Sequence, residues 1–417
     1  LDALVYSYYA EMLANKYDKL LASKGLNDVV TAYRKIPISA LSNKNKCNVD
    51  FAVDIFEFIL NYPDDEFVVL AFDIKGFFDN LNHAKLRDKW KDVLGMPSEP
   101  LPDDHFNVFK NITRYSYVDL VGIFKEFQNE IFVNTTSEKK SVIKRKRVSK
   151  IKYLKKSNAV AFCTQKEFLN VKNKLIKKVR FLKDEFGKTV KKDFGIPQGS
   201  PISAILANLY MLDFDANIFN YLSDFEGVYR RYSDDMMVVC PVNMKDDVIK
   251  HFNKEITDID LEIQEKKTQI FHFKRKDNML TCGQEFPDGI NWNKNLIYLG
   301  LEFDGLNAKI KSASISGYYR KMKRTVKRAK HFSNIPSRKY SGELFKSRLL
   351  KKFTHVGAER RLKYIWNASK SHFEISNHFD WGNFISYTKK AGKIKLSNNI
   401  HSQTKRHWNT LYKLLGS

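Results

Sequence analysis

The sequence is poor in residues that staple or span. Its 417 residues include four cysteines, Cys47, Cys163, Cys240 and Cys282. They show no Cys-x-x-Cys spacing and have no paired histidine beside them, which argues against a zinc site or a disulfide scaffold. A reducing, cytoplasmic setting is expected. The longest apolar runs, such as "FVVLAF", fall far short of the ~20 residues a membrane span needs, so no membrane partner is expected. No signal-peptide pattern, internal repeat or low-complexity linker is visible. At 43% hydrophobic content the chain is long enough for two or three domains, each with its own core.

Acid is scarce in two places. Residues 131–192 hold 20 Lys/Arg against 4 Asp/Glu, and residues 318–417 hold 24 against 4. Of the net charge of +25, these segments supply +36, which leaves about −11 on the remainder. A solvated charged face is the ordinary reading of such runs. So one-sided an excess has no internal carboxylates to pair with, however, and a polyanion is the expected partner. In the second segment "GYYRKMKR", "KYIW" and "KRHW" set stacking faces beside the cations, which favours nucleic acid over a membrane surface.

Apolar periodicity predicts helices within residues 1–62, in "LVYSYYAEMLANKYDKLLA" and "FAVDIFEFIL". "FVVLAFDIKGFFDNLNHAKL" begins as a strand, ends it at Asp73, and passes through Gly76 into a helix near Asn82. Phe168, Val171, Leu175, Val179, Leu182 and Phe186 predict one amphipathic helix over 166–186. "GIPQGSPISAILANLYMLDFD" predicts a turn opening a buried helix. In "YRRYSDDMMVVCP" two short strands flank Asp234 and Asp235 at a hairpin tip. A helix over 244–258 and a strand within "LEIQEKKTQIFHF" follow. This succession suits an α+β core of ferredoxin-like type, an antiparallel sheet with helices on one face.

An Asp pair between strands is most often an Asx-type turn. Here Asp73, at the end of a neighbouring strand, can lie beside it. Carboxylates converging from two strands suit two Mg²⁺ ions ~3.5–4 Å apart, one activating a 3′-hydroxyl and one stabilising departing pyrophosphate.

The blocks "FDIKGFFDNLNHAKL", "GIPQGSPISAILANLY", "RRYSDDMMVV", "LEIQEKKTQIF" and "LIYLGLEFDG" resemble, in order, those of the reverse transcriptase family over about residues 25 to 305. The style resembles group II intron, retron, abortive-infection and other defence-associated enzymes, and "NVDFAVDIFEFI" with "NITRYSYVDL" looks most like the last two groups. The resemblance implies a right-hand polymerase: N-terminal helices and part of the fingers over 1–66, a palm and fingers over 67–317 interrupted by the basic insertion at about 131–192, and a helical basic thumb over 318–417. It implies Asp73, Asp234 and Asp235 as catalytic metal ligands, the Ile74 carbonyl as a further ligand, and Mg²⁺ as cofactor with Mn²⁺ as an alternative.

It further implies that Phe78 is the steric gate favouring deoxynucleotides, against the alternative of a core phenylalanine such as Phe77. Gln198 would touch the incoming nucleotide and Gly199 admit close backbone approach, against the alternative of a simple turn. Lys267 would protonate pyrophosphate, with Lys266 one residue away and a solvated lysine as the alternative, and Arg34 would neutralise the triphosphate. "YLGLEFDG" would support the primer terminus or simply pack on the palm. An RNase H domain is not expected, because residues 318–417 offer only Glu343, Glu359, Glu374 and Asp380 as acids. The expected activity is RNA-directed DNA synthesis on a partner non-coding RNA in antiphage defence, with RNA, dNTPs and product DNA as partners and a homo-oligomer left open. Template-independent or protein-primed synthesis, and a non-catalytic RNA-binding scaffold, are the alternatives.

Overall fold

The computed structural model describes all residues except 1, 40–41, 43, 138–139, 180, 184–185, 338–340, 358–361, 368–370, 380–381, 395, 397–399 and 417. Glu359 and Asp380 thus lie outside the described residues. The chain divides into two units interleaved in sequence. The first comprises Leu1–Lys24, Lys75–Phe214 and Ile256–Glu262; the second comprises Gly25–Ile74, Asp215–Glu255 and Ile263–Ser417. The division read from the sequence was consecutive. Contacts instead group distant segments, because antiparallel strands from separate stretches share one sheet.

That sheet organises the second unit. Its strands are β1 (Glu66–Asp73), β2 (Val228–Tyr232), β3 (Asp235–Pro241), β4 (Gln269–Lys276), β5 (Met279–Phe286) and β6 (Gly289–Asn291), in the spatial order β6-β5-β4-β1-β3-β2. The first four, with β1 and β3 central, give the ferredoxin-like core read from the sequence.

Both faces of β1 are covered, not one. Residues 67 to 70 are all fully buried. Phe67 and Val69 join Val49, Ala52, Phe56 and Ile59 of the helix Asn48–Leu60 in one cluster. Phe72, on the opposite face, stacks on Phe252 with ring centroids 4.3 Å apart. A continuous apolar run is what a strand buried on two faces requires, and helical cover on one face alone would have left half of "FVVLAF" in water.

In the first unit the helix Asp2–Ser23 buries Leu13, Tyr17 and Leu21, and the Tyr17 hydroxyl donates to the Asn208 carbonyl at 3.2 Å. The predicted helix over 166–186 ends early: it spans Gln165–Leu175 and gives way to short strands at Ile176–Lys178 and Phe181–Lys183. Val118 pairs with Ile176 and, of the predicted stripe, Leu182 pairs with Val190, so the stripe breaks after Leu175 into strands, and Phe186 is 93% exposed. The basic insertion is folded. Strands Ile131–Ser137, Lys140–Lys146 and Ala159–Ala161 form a sheet over a small core of Phe124, Ile131, Val133 and Val148. Residues 318–417 are not wholly helical either, since Leu362–Asn367 pairs with His372–Phe379. "LKYIW" and "HFEI" alternate aromatic and branched residues in the manner of strands.

Among the described residues, no helix is long and apolar enough to cross a membrane.

Candidate active site

The acids of the second unit meet at one end of its sheet. β1 and β3 run antiparallel in a register whose last pair is Asp73 opposite Asp235. Side chains alternate across a strand, so both aspartates share the face of Val69 and Met237. Asp234 lies next door in a two-residue loop, because Tyr232 pairs directly with Asp235. Ser233 takes φ +63° at the first loop position, a left-handed conformation that a primed hairpin turn demands. Its hydroxyl lies 3.1 Å from that of Tyr33.

Like charges directly opposite each other destabilise a sheet, so the site maintains repulsion that folding alone does not explain. Asp235 records it: although exposed to the cleft, its carboxyl is crowded by protein and then repelled by Asp234 and Asp73, which pushes its pKa up to about 6. Lys267 supplies partial compensation. Its Nζ donates to both carboxylate oxygens of Asp73 at 2.9 and 3.1 Å, and that bond raises the lysine pKa. Lys266 lines the same cleft, but it is Lys267 that reaches the acid.

The cleft measures about 500 Å³ and is bordered by Asp73, Asp235, Lys266, Lys267, Tyr298 and Lys311. Sequence reading missed Lys311, which acts electrostatically on Asp235 and carried no motif. It also missed the fully buried pair Arg231–Asp215, 2.6 Å apart. The strand alternation in "VYRRY" was the available signal, since it puts Arg231 on the inward face with Tyr229.

The cleft also meets the hairpin Leu296–Tyr298 to Leu301–Phe303. Its two loop residues, Leu299 and Gly300, both have positive φ, 45° and 88°.

The donor chemistry, carboxylates with a nearby backbone carbonyl, fits a hard divalent cation. Ile74 bridges to Ile263 through bonds of its neighbours, Gln264 N–H to the Asp73 carbonyl at 2.7 Å and Lys75 N–H to the Glu262 carbonyl at 2.9 Å. Its own carbonyl is therefore left out of that bridge. Among the described residues, however, no three His, Cys, Asp or Glu side chains gather closely enough to hold a metal ion. Asp73 is engaged by an ammonium instead.

Arg34 is occupied locally: its guanidinium donates to the carbonyls of Asn27 and Val30 at 2.7 and 2.8 Å and to Asn27 Oδ1 at 3.0 Å.

Phe78, Gln198 and Gly199 belong to the first unit. Gly76 opens the turn before Phe78 at φ +56°, Phe77 is buried at 3% exposure, and Phe78 is half-buried. The Phe78 carbonyl accepts from Ile196 N–H at 2.8 Å, and Gly195 N–H donates to Leu81 at 2.8 Å. The loop carrying Gln198 is thereby tied to the turn carrying Phe78. Gly195 is the tight position, since a Cβ there would stand 2.6 Å from the Asp79 carbonyl oxygen. Gly199 has φ +93° but open space around it, so within this chain its backbone angle, not a close approach, calls for glycine.

Residues 147–303 match the family model of reverse transcriptase (RNA-dependent DNA polymerase). The reverse transcriptase match takes in Gln198, Gly199, Asp234, Asp235 and Lys267, and it supports an RNA-directed DNA polymerase. Asp73 and Phe78 lie outside it, and the sheet register is what brings Asp73 opposite Asp235. No curated protein matches the sequence. Among solved structures, apo telomerase from Candida tropicalis is similar at 13% identity with a TM-score of 0.40, over 77% of this chain and 44% of that one. Telomerase from Candida albicans in complex with a TWJ fragment of telomeric RNA is similar at 15% identity with a TM-score of 0.35, over 75% and 41%. The chain thus spans less than half the length of these telomerases.

Proposed function

We propose that this chain is a reverse transcriptase, adding deoxynucleotides to a 3′-hydroxyl on an RNA template. The observation that carries the reading is the pairing of Asp73 with Asp235, which sets an acid outside the matched segment against the acidic hairpin inside it. Mg²⁺, or Mn²⁺, held by Asp73, Asp234, Asp235 and the Ile74 carbonyl, would supply the Lewis acidity for hydroxyl attack and pyrophosphate departure. Phe78 excludes a ribose 2′-hydroxyl, Gln198 and Gly199 border the incoming nucleotide, and Lys267 gives a proton to the leaving pyrophosphate. Arg34 serves the triphosphate only by giving up its bonds to Asn27 and Val30. In this reading the chain has a right-hand architecture, and the basic insertion and C-terminal segment hold a dedicated non-coding RNA, in keeping with the defence-associated enzymes that its motifs resemble.

The Asp73–Lys267 bond, which occupies the acid with an ammonium, favours a second reading, a scaffold that binds RNA without catalysis.

The test is to purify the protein with its co-bound nucleic acid and sequence that material before and after adding Mg²⁺ and dNTPs. One defined RNA with complementary cDNA is expected. Asp73→Ala and Asp234→Ala should each abolish synthesis while RNA binding persists; full activity in either variant removes the central claim. DNA of simple sequence joined to protein indicates untemplated, protein-primed synthesis, and RNA with no DNA indicates the scaffold.

A further inference from the structure

A second cavity in the second unit, about 240 Å³, is lined by residues that include Asp28, Lys46, Phe51, Asp54, Arg230 and Tyr298. At its wall stands Arg230, mid-strand in β2. A guanidinium offers five N–H donors in a fixed fork. The Arg230 guanidinium makes one hydrogen bond among the described residues, from Nη1 to the Tyr229 carbonyl at 2.9 Å. Asp28 and Asp54 act on it electrostatically, yet neither forms a direct ion pair with it, and Asp54 is taken by Lys46 at 2.6 Å. Burial draws the Arg230 pKa below the ordinary arginine value. Arg230 is half-buried, and its unused N–H groups have the cavity to face.

The lining restricts what fits. Arg230 and Lys46 disfavour a simple cation, and Asp28 and Asp54 disfavour a simple anion. The volume is below the range of drug-sized pockets, so the ligand is about one ring system. Phe51 provides an apolar wall. A flat heterocycle is therefore wanted, with acceptors on the edge toward Arg230 and donors on the edge toward a carboxylate. Guanine has this pattern: O6 and N7 take an arginine fork bidentately, while N1–H and the exocyclic amine donate from the other edge.

We propose that this cavity is a guanine-binding site, with the Arg230 fork on the O6/N7 edge and the Asp28 carboxylate on the N1/N2 edge. Asp28 is assigned because it is exposed and carries no ion pair or hydrogen bond of its own among the described residues. Tyr298 lines both this cavity and the acidic cleft, so the bound base sits one side chain from the candidate catalytic acids. The base could belong to a free nucleotide or to a nucleic-acid strand.

The test is calorimetric titration of the full chain in EDTA, without dNTPs, using GMP, IMP, AMP and short RNAs ending in an unpaired 5′ G or A. GMP is expected to bind one to one and AMP at least tenfold more weakly. Arg230→Gln should cost at least tenfold in GMP affinity. Asp28→Asn, on the surface and outside the core, should abolish the preference for GMP over IMP, which lacks the exocyclic amine. Tighter binding of the 5′-G RNA than of GMP assigns the site to a strand, and the reverse assigns it to a nucleotide; both uphold it. Asp234→Ala should bind GMP normally, so loss of polymerase activity does not bear on this site. Equal affinity for GMP and AMP, unchanged GMP binding in both cavity variants, or no binding at millimolar GMP overturns the proposal.

Discussion

Gly76 turns the backbone so that Phe77 enters the core while Phe78 stays half-buried. If Phe78 meets the sugar, Phe78→Ala should lower discrimination against ribonucleotides by roughly tenfold or more, read as the ratio of dNTP to NTP incorporation. An unchanged ratio returns the residue to packing alone. Beneath the acidic hairpin, Arg231 donates from Nε and Nη2 to the two Asp215 oxygens at 2.8 and 2.6 Å and from Nη1 to the Ser233 carbonyl at 3.2 Å. Tyr229 donates to the same aspartate at 2.9 Å. Arg231→Met should cost about 3–5 kcal/mol in urea unfolding, because it strands a buried carboxylate, and pairing it with Asp215→Leu should recover most of the loss. A single-variant cost under about 1 kcal/mol contradicts that role.

Among the elements, the loop from Gly195 to Gly199 shows why two glycines in one motif are not equivalent. Gly195→Ala forces a Cβ against the Asp79 carbonyl at 2.6 Å and strains φ +88°, whereas Gly199→Ala meets strain alone. The first variant should lose more stability than the second, by at least about 1 kcal/mol, in paired thermal melts; equal losses would mean the loop yields freely. The segment 166–186 carries the opposite lesson. Its apolar spacing suited a helix, but Ile176 and the residues after it found strand partners, and a six-position stripe cannot distinguish the two when the partner strand is distant in sequence. The hairpin within 362–379 was hidden differently: the helical thumb was what the family resemblance implied, and the alternation of aromatic and branched residues there was not read.

For the whole molecule, charge is the leading long-range property. The insertion presents Lys144, Lys146 and Arg147 exposed on and just after an edge strand, while Arg145 is held by Glu130 and by Glu167 at 2.6 Å. RNA binding should weaken steeply with salt, and replacing Lys144, Lys146 and Arg147 with alanine should flatten the slope of log K against log salt by about 2 for single-stranded RNA. A slope that the triple variant leaves unaltered excludes the insertion from the interface. Arg145 is the wrong probe, because its removal would also break the link between the sheet and the helix Gln165–Leu175.

The amino-acid sequence by itself determined the ferredoxin-like succession, the strand ending at Asp73, the hairpin at Asp234 and Asp235, and the basic segments. These are local: apolar alternation, turn residues and charge are written in consecutive positions. Only the tertiary structure decided that Asp73 stands opposite Asp235, that Lys267 and not Lys266 reaches the acid, that both faces of β1 are covered, and that Arg230 is left short of partners beside a cavity. Each of these depends on which of several plausible neighbours arrives from far along the chain. That choice follows from register and packing, which nearby residues do not record.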